Sequence, residues 1–338
     1  VSEQIKPNIL VTGAAGFIGY HLCRRLLESG MRVFGADNIN DYYDPSLKRA
    51  RLSELAAFAR FSFIEGDLAD EGFACGLFSD AKPDVVVHLA AQAGVRYSIE
   101  NPRAYIESNI IGFFNILEQV RRHPVTHFLY ASSSSVYGNR KETPFSVEDR
   151  VDKPVSMYAA TKKSNELFAY AYSHLYGIPA TGLRFFTVYG PFGRPDMAYF
   201  KFTKAILEEK PIDVFNRGDM LRDFTYIDDV TACVENMLFC PPKPDETGAP
   251  NAVYNIGNNR PVKLVDFIGA LERALGKRAQ FNYLPMQAGD VEITYADIEE
   301  TQRDFGFEPV TQIEEGLKKF ADWYLAYYDR TPSENKSK

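Results

Sequence analysis

The 338-residue chain lacks several features that would place it elsewhere. It has only four cysteines, Cys23, Cys75, Cys233 and Cys240, with no C-x-x-C pair among them. That scatter excludes a disulfide framework, predicts no metal site, and fits reduced thiols in a cytoplasmic protein. No apolar run approaches the ~18 residues that span a bilayer, so no membrane partner is expected. Basic charge is in deficit: 38 Lys and Arg stand against 45 Asp and Glu, a net charge of −7. A protein that tracks a nucleic-acid backbone is usually basic, so no nucleic-acid partner is expected. A small anionic ligand remains compatible, because it needs only a local Arg or a helix N-terminus. Repeats and low-complexity tracts are also missing. With 45% hydrophobic residues, the chain can bury a sizeable core.

In the first half, apolar runs alternate with helical patterns. Residues 9–11, 32–36, 61–64, 85–89, 127–131 and 180–186 read as strands. Residues 17–28, 46–58, 104–121 and 162–176 read as helices. Continuous apolar strands alternating with helices predict an α/β fold of the Rossmann type, a doubly wound parallel sheet covered on both faces. After Gly190 the rhythm becomes irregular; 241–250 is rich in turn residues, and 265–275 and 314–327 read as helices. The expected organisation is a dinucleotide-binding domain over 1–190, with segments near 220–240 returning to it. A smaller C-terminal α/β substrate lobe over 191–330 and a disordered tail over 331–338 complete it.

Two of the helices are apolar on more than one side. One carries Tyr105, Ile106, Ile110, Phe113, Phe114, Leu117 and Val120; the other Leu167, Phe168, Ala171, Tyr172, Leu175 and Tyr176. One face can cover the sheet. The second is either buried under the smaller lobe or paired in the four-helix bundle of a homodimer, and the bundle is the favoured reading.

Gly13, Gly16 and Gly19 lie between the first strand and the first helix. There the chain must turn tightly, bring N–H groups close to a pyrophosphate and pack helix on strand. The second strand ends in Asp37, about 20 residues on, where a carboxylate can accept both hydroxyls of an adenosine ribose. The residues that follow, Asn38, Ile39 and Asn40, include no Arg, which favours NAD over NADP. Asp67, after the third strand, can reach an adenine amino group.

Tyr158 and Lys162 stand four apart at the start of a helical run, hence on one face. A tyrosine can act as a base if its phenol is brought down from a pKa near ~10, and a neighbouring ammonium does that. Tyr137 and Lys141 share the spacing, but Gly138, Asn139 and Pro144 around them mark a loop. Ser132 to Ser135 follow an apolar strand, at the end of a parallel sheet that faces the ligand crevice. A hydroxyl there can bond a reacting oxygen.

Together, Thr12-Gly-x-x-Gly-x-x-Gly19, the serine run before Val136-Tyr-Gly138, and Tyr158-x-x-x-Lys162 resemble the extended short-chain dehydrogenase/reductases that act on nucleotide sugars. The resemblance spans about residues 7–328. It implies Tyr158 as base, Lys162 as its partner, and Ser133 as the hydroxyl donor, with Ser134 and Ser135 next. It implies a cofactor site that adds Phe17, Ile18, Asn38, Asn40, Leu68, Leu89, Ala90, Ala91 and Asn109 to the glycines, Asp37, Asp67, Tyr158 and Lys162. Family members that dehydrate or decarboxylate their 4-keto sugar usually carry a Glu just before Val-Tyr-Gly. Here that position is Ser135, which argues for an epimerase.

Three longer segments, 37–49, 91–98 and 187–197, are similar to UDP-glucuronate 4-epimerases. By that resemblance Arg194 holds the sugar carboxylate, since a guanidinium fork suits a planar carboxylate. Arg222 binds a phosphate and Phe215 lies near uracil. Arg96, Ser134, Ser135, Thr187, Gln287 and Asp290 complete the substrate wall. Thr187 and Gln287 stand where galactose-type relatives have Asn and Arg, which favours the uronate branch. The expected activity is NAD-dependent interconversion of UDP-glucuronate and UDP-galacturonate through a 4-keto intermediate. A UDP-glucose or UDP-N-acetylglucosamine 4-epimerase is the alternative. A non-enzymatic NAD(P)-sensing protein is a more remote one, disfavoured because the Tyr/Lys pair is present.

Overall fold

The computed structural model describes residues 6–285 and 293–330. In chain order its first half is β1 (Asn8–Thr12), α1 (Phe17–Glu28), β2 (Arg32–Asp37), α2 (Pro45–Leu55), β3 (Phe61–Glu65), α3 (Glu71–Ala81) and β4 (Val85–His88). Then come α4 (Tyr97–Glu100), α5 (Pro102–Tyr105), α6 (Gly112–Arg122), β5 (His127–Ser133), α7 (Met157–Tyr176), β6 (Ala180–Phe185) and β7 (Thr187–Tyr189). The remainder is α8 (Ala198–Leu207), β8 (Pro211–Phe215), β9 (Leu221–Arg222), β10 (Phe224–Tyr226), α9 (Ile227–Met237) and β11 (Asn251–Ile256). It ends with β12 (Val262–Lys263), α10 (Leu264–Leu275), β13 (Gln280–Leu284), β14 (Ile293–Thr294), α11 (Glu299–Phe305) and α12 (Ile313–Arg330).

Seven parallel strands form one sheet in the order β11-β6-β5-β4-β1-β2-β3. Successive side chains of β1 go to opposite faces: Ile9 and Val11 join one buried cluster, Leu10 the other. Covering both faces is why the central strands β1 and β4 are apolar through their middles, with Ile9-Leu-Val11 and Val85-Val-Val87 all buried. Residues 251–256, which the sequence reading leaves in the smaller lobe, pair with β6 in this sheet. The helix expected over 104–121 is interrupted by a π-helical turn, Ile106–Ile111. Asn109 sits in that turn and its side chain ties to Gln92 and Thr161. Among the described residues, three small sheets lie outside the large one: β7 with β10, β8 with β13, and β9 with β12 and β14. No helix among the described residues is long and apolar enough to cross a membrane.

Packing buries His88 and His127 and half-buries His21, none with a negative partner to charge it. Burial lowers His21 and His88 from 6.5 to about 3 and His127 to about 4. Each is neutral when folded but titrates near 6.5 when unfolded, so unfolding takes up protons below about pH 6.5. Stability therefore falls as pH drops from 6.5 towards 4, by up to ~1.4 kcal/mol per pH unit for each proton. Melting temperatures measured from pH 7.5 down to 5 should fall steadily; a flat profile would contradict this reading.

Candidate active site

β1 and β4 are neighbours from which the chain departs in opposite directions, which opens a crevice at their C-terminal ends. A cleft of about 1000 Å³ lies there. Gly13 has φ +74, and a Cβ on it would lie 2.7 Å from Ala90 N. A Cβ on Gly19 would fall 2.1 Å from Gly13 O. Backbone thus meets backbone at both positions, and only glycine fits. Thr12 holds the opposite wall: its hydroxyl bonds His88 Nδ1 at 2.8 Å and accepts from Ala90 N at 3.3 Å. Gly16 caps α1 with no side chain of its own, leaving the first-turn N–H groups to a ligand anion.

Asp37 ends β2 and accepts from Ile39 N at 2.8 Å and Ala15 N at 3.2 Å. Lys48, which the sequence reading missed, lies 3.6 Å from Asp37 Oδ1 and donates to Asn40 Oδ1 at 2.9 Å. Asn38 donates to Asp67 at 3.2 Å. Gly13, Gly16, Phe17, Ile18, Gly19, Asp37, Asn38, Asn40, Asp67, Leu68, Leu89, Ala90 and Ala91 all line the cleft. Bare N–H groups at the head of α1 and the Asp37 carboxylate at the end of β2, on one cleft, fit a dinucleotide. Asn109 is buried behind this wall, accepting from Gln92 N at 2.8 Å and donating to Gln92 O and Thr161 Oγ1 at 3.0 Å each.

Ser156 caps α7 by accepting from Ala159 N at 3.1 Å, which puts Tyr158 in the first turn and Lys162 one turn below it. Lys162 Nζ donates to Ala131 O at 2.8 Å, and burial lowers its pKa to about 7. Burial raises the Tyr158 phenol, while a hydrogen bond with Ser133 and the charge of Arg194 pull it back down. Ser133 is the last residue of β5, and its hydroxyl bonds Ser135 Oγ at 3.1 Å and accepts from Ser135 N at 3.2 Å. Ser134, Ser135 and Lys162 share this wall.

Beneath it, Arg184 clasps Glu166 with two bonds of 2.8 and 2.9 Å, and Ser132 donates to the same carboxylate at 2.6 Å. This buried cluster pins the end of β5 to α7. It also accounts for the second Tyr-x-x-x-Lys match. Tyr137 is buried, donates to Asn255 at 2.7 Å and accepts from Arg184 at 3.0 Å, while Lys141 is exposed.

At the far end Thr187, Arg194, Phe215, Arg222 and Arg96 line the same cleft. The Arg96 guanidinium lies 5.5 Å over the Phe215 ring. Gln287 and Asp290 lie outside the described residues. Two residues unseen in the sequence organise Arg194. Asp196 takes its Nε at 3.0 Å and Nη2 at 2.5 Å, and Tyr42 donates to Asp196 at 3.2 Å. Burial alone would lower the Arg194 pKa, but Asp196 outweighs it and secures the cation. The bonded edge of the fork is Nε/Nη2; the Nη1/Nη2 edge is the one a ligand carboxylate can take.

The family model described as GDP-mannose 4,6 dehydratase matches residues 10–320. Protein CapI of Staphylococcus aureus is 54% identical over 96% of this chain and 100% of its own. UDP-glucuronate 4-epimerase 3 of Arabidopsis thaliana is 49% identical over 95% of this chain and 77% of its own length. Among solved structures, UDP-glucuronic acid 4-epimerase from Bacillus cereus, in complex with UDP-glucuronic acid and NAD, has a TM-score of 0.86 to this fold. It is 36% identical, over 95% of this chain and 99% of that one.

Proposed function

The chain belongs to the family described as GDP-mannose 4,6 dehydratase and, within it, to the UDP-glucuronate 4-epimerases, and from that premise we propose that it interconverts UDP-glucuronate and UDP-galacturonate with NAD. The observation that carries this reading is the cationic fork of Arg194, oriented by Asp196, within electrostatic reach of the Tyr158 phenol. A neutral hexose gives that fork no anion.

NAD, held along the Gly13–Gly19 loop and Asp37, would supply the hydride acceptor and donor that inversion at C4 of the sugar requires. The chain's own residues handle the proton and the orientation. Tyr158, ionised, takes the proton of the 4-hydroxyl and gives it back after the ketone has turned over. Ser133 donates a hydrogen bond to the same oxygen. Lys162, which donates to Ala131 O in this structure, would hold the nicotinamide ribose and, when charged, support the phenolate. Arg222 and Phe215 hold the uridine diphosphate while the sugar turns. Ser135, where dehydrating and decarboxylating relatives carry Glu, adds no second acid. Purified protein should convert UDP-glucuronate with kcat/KM well above that for UDP-glucose; the reverse order would sink the uronate reading.

The Tyr158/Lys162 pair yields a prediction in pH. A cation near the phenol favours its anion, so removing it raises the phenol pKa. Lys162→Met should move the acid-side limb of the kcat/KM profile to higher pH, read as apparent values of the pair. A limb that stays put would remove the lysine from this role.

We also infer a homodimer. Ile106, Ile111 and Phe114 on the α6 side, and Leu167, Leu175 and Tyr176 on α7, are exposed in one copy. Their helices already cover the sheet with Phe113, Ile116 and Leu117. Two such faces meeting about a twofold make a four-helix bundle. Leu167→Glu should shift the protein to monomer in light scattering; an unchanged dimer would place the interface elsewhere. The division into a dinucleotide half (1–190 with later returns) and a substrate lobe (191–330), and a cytoplasmic site of action, belong to the same reading. The four cysteines, none of them in a disulfide, support the last.

A further inference from the structure

Arg51, on α2, is fully buried, yet its guanidinium hydrogen bonds go to backbone carbonyls and a tyrosine hydroxyl rather than to a carboxylate. Its guanidinium spreads over three places instead. Nη1 donates to Ala15 O at 2.8 Å and to the Tyr43 hydroxyl at 2.7 Å. Nε and Nη2 donate to Phe192 O at 3.2 and 2.6 Å, and Nη2 also to Gly193 O at 3.2 Å. Ala15 belongs to the glycine loop at the head of α1. Phe192 and Gly193 are the two residues before Arg194.

That second place is strained. Phe192 has φ +53, a left-handed conformation that a bulky residue adopts only when its surroundings compel it. A Cβ on Gly193 would lie 2.1 Å from Tyr199 OH, so the chain is also tightly confined there. Taking a cation out of water without a counter-charge is costly, and neutral donors could satisfy single carbonyls more cheaply. What a planar fork adds is geometry: several fixed donors, at set angles, to two separate stretches of backbone. The stretch leading into and along α2 reaches the site twice more. Tyr42 donates to Asp196, and Lys48 stands by Asp37.

We propose that Arg51 is a positioning residue for the substrate carboxylate: it fixes the Arg194 arm relative to the glycine loop, and so relative to the cofactor. The proposal rests on the uronate reading above. Its consequence is specific. Losing Arg51 lets the Arg194 fork drift while Tyr158, Lys162 and Ser133, held by α7 and β5, stay in place. Uronate affinity and control over the 4-keto acid should suffer more than turnover.

The test compares wild type, Arg51→Met, Arg51→Lys, Arg194→Ala and the Arg51→Met/Arg194→Ala pair. KM and kcat for UDP-glucuronate and the ratio of UDP-pentose to epimer are measured for each. Arg51→Met should raise KM about tenfold, change kcat by less than about threefold and raise the pentose share. In the Arg194→Ala background it should add less than about twofold, because the arm it positions has lost its function. Arg51→Lys keeps charge without the fork and should recover only part of the loss. Should Arg51→Met fail to fold, Arg51→Lys decides: wild-type KM and product ratio in it would overturn the proposal. A loss of kcat equal in both backgrounds, with an unchanged product ratio, means general structural damage and overturns it too. If Arg194→Ala itself moves neither KM nor ratio, the carboxylate reading fails, and Arg51's role with it. If Arg194→Ala moves both and Arg51→Met moves neither, only the positioning role is wrong.

Discussion

Replacing Tyr158 with Phe lowers turnover by about 10²–10⁴-fold while the protein still binds NAD and nucleotide sugar. The substitution removes one oxygen and leaves the ring, which packs edge-on against Tyr105 with centroids 6.0 Å apart. Nothing in the glycine loop, at Asp37 or at Arg222 depends on that oxygen. Burial makes the phenolate unfavourable, and the structure opposes burial with the Ser133 hydrogen bond and the Arg194 charge. Lys162, its own pKa lowered by burial to about 7, stands one turn away. A base so placed is useful only if it accepts the proton, so the cost should fall on kcat with KM nearly unchanged. Steady-state kinetics checks this, and a variant within twofold of wild type would exclude Tyr158 as the base.

Replacing Arg194 with Ala raises the KM for UDP-glucuronate and increases the decarboxylated pentose product relative to epimer. The 4-keto form of a uronic acid is a β-keto acid, with C5 between ketone and carboxylate. It loses CO2 when the bond to the carboxylate stands perpendicular to the carbonyl plane. A fork that binds two carboxylate oxygens favours the charged group and limits its rotation. Asp196 and Tyr42 make that fork rigid, which a lone flexible Arg would not be. A charge-assisted pair contributes about 1.5–3 kcal/mol, so KM should rise about 10–100-fold. Product analysis separates binding from protection: a higher KM with the wild-type pentose share would leave Arg194 as an anchor only.

Six strands of the large sheet, β1 to β6, were legible because strands covered on both faces carry runs of apolar residues. So were the glycine loop, Asp37 and the Tyr158/Lys162 pair, whose chemistry depends on local spacing. Other elements left no such mark. α3 contains Gly72 and Gly76, which weaken its helical pattern, although Asp70 caps it through Gly72 N and Phe73 N. β11 was not among the strands expected, since its pairing with β6 spans a long crossover and strand order is not written in local pattern. Asp196, Tyr42 and Lys48 became site residues only through tertiary approach. Arg51 is the extreme case, since a charged residue on a helix is expected outside and this one is fully buried. The π-helical turn that carries Asn109 was equally unmarked, and its side chain bonds the Gln92 backbone and the Thr161 hydroxyl, contacts that only tertiary approach creates.

The central claim is that C4 is inverted by removing and returning the same hydrogen, with Tyr158 handling the proton. UDP-glucuronate carrying deuterium at C4, incubated with the protein and NAD in ordinary water, tests it most directly. The account predicts UDP-galacturonate that keeps deuterium at C4, with no build-up of free reduced cofactor. Deuterium washed out into water, or no UDP-galacturonate at all, would contradict it.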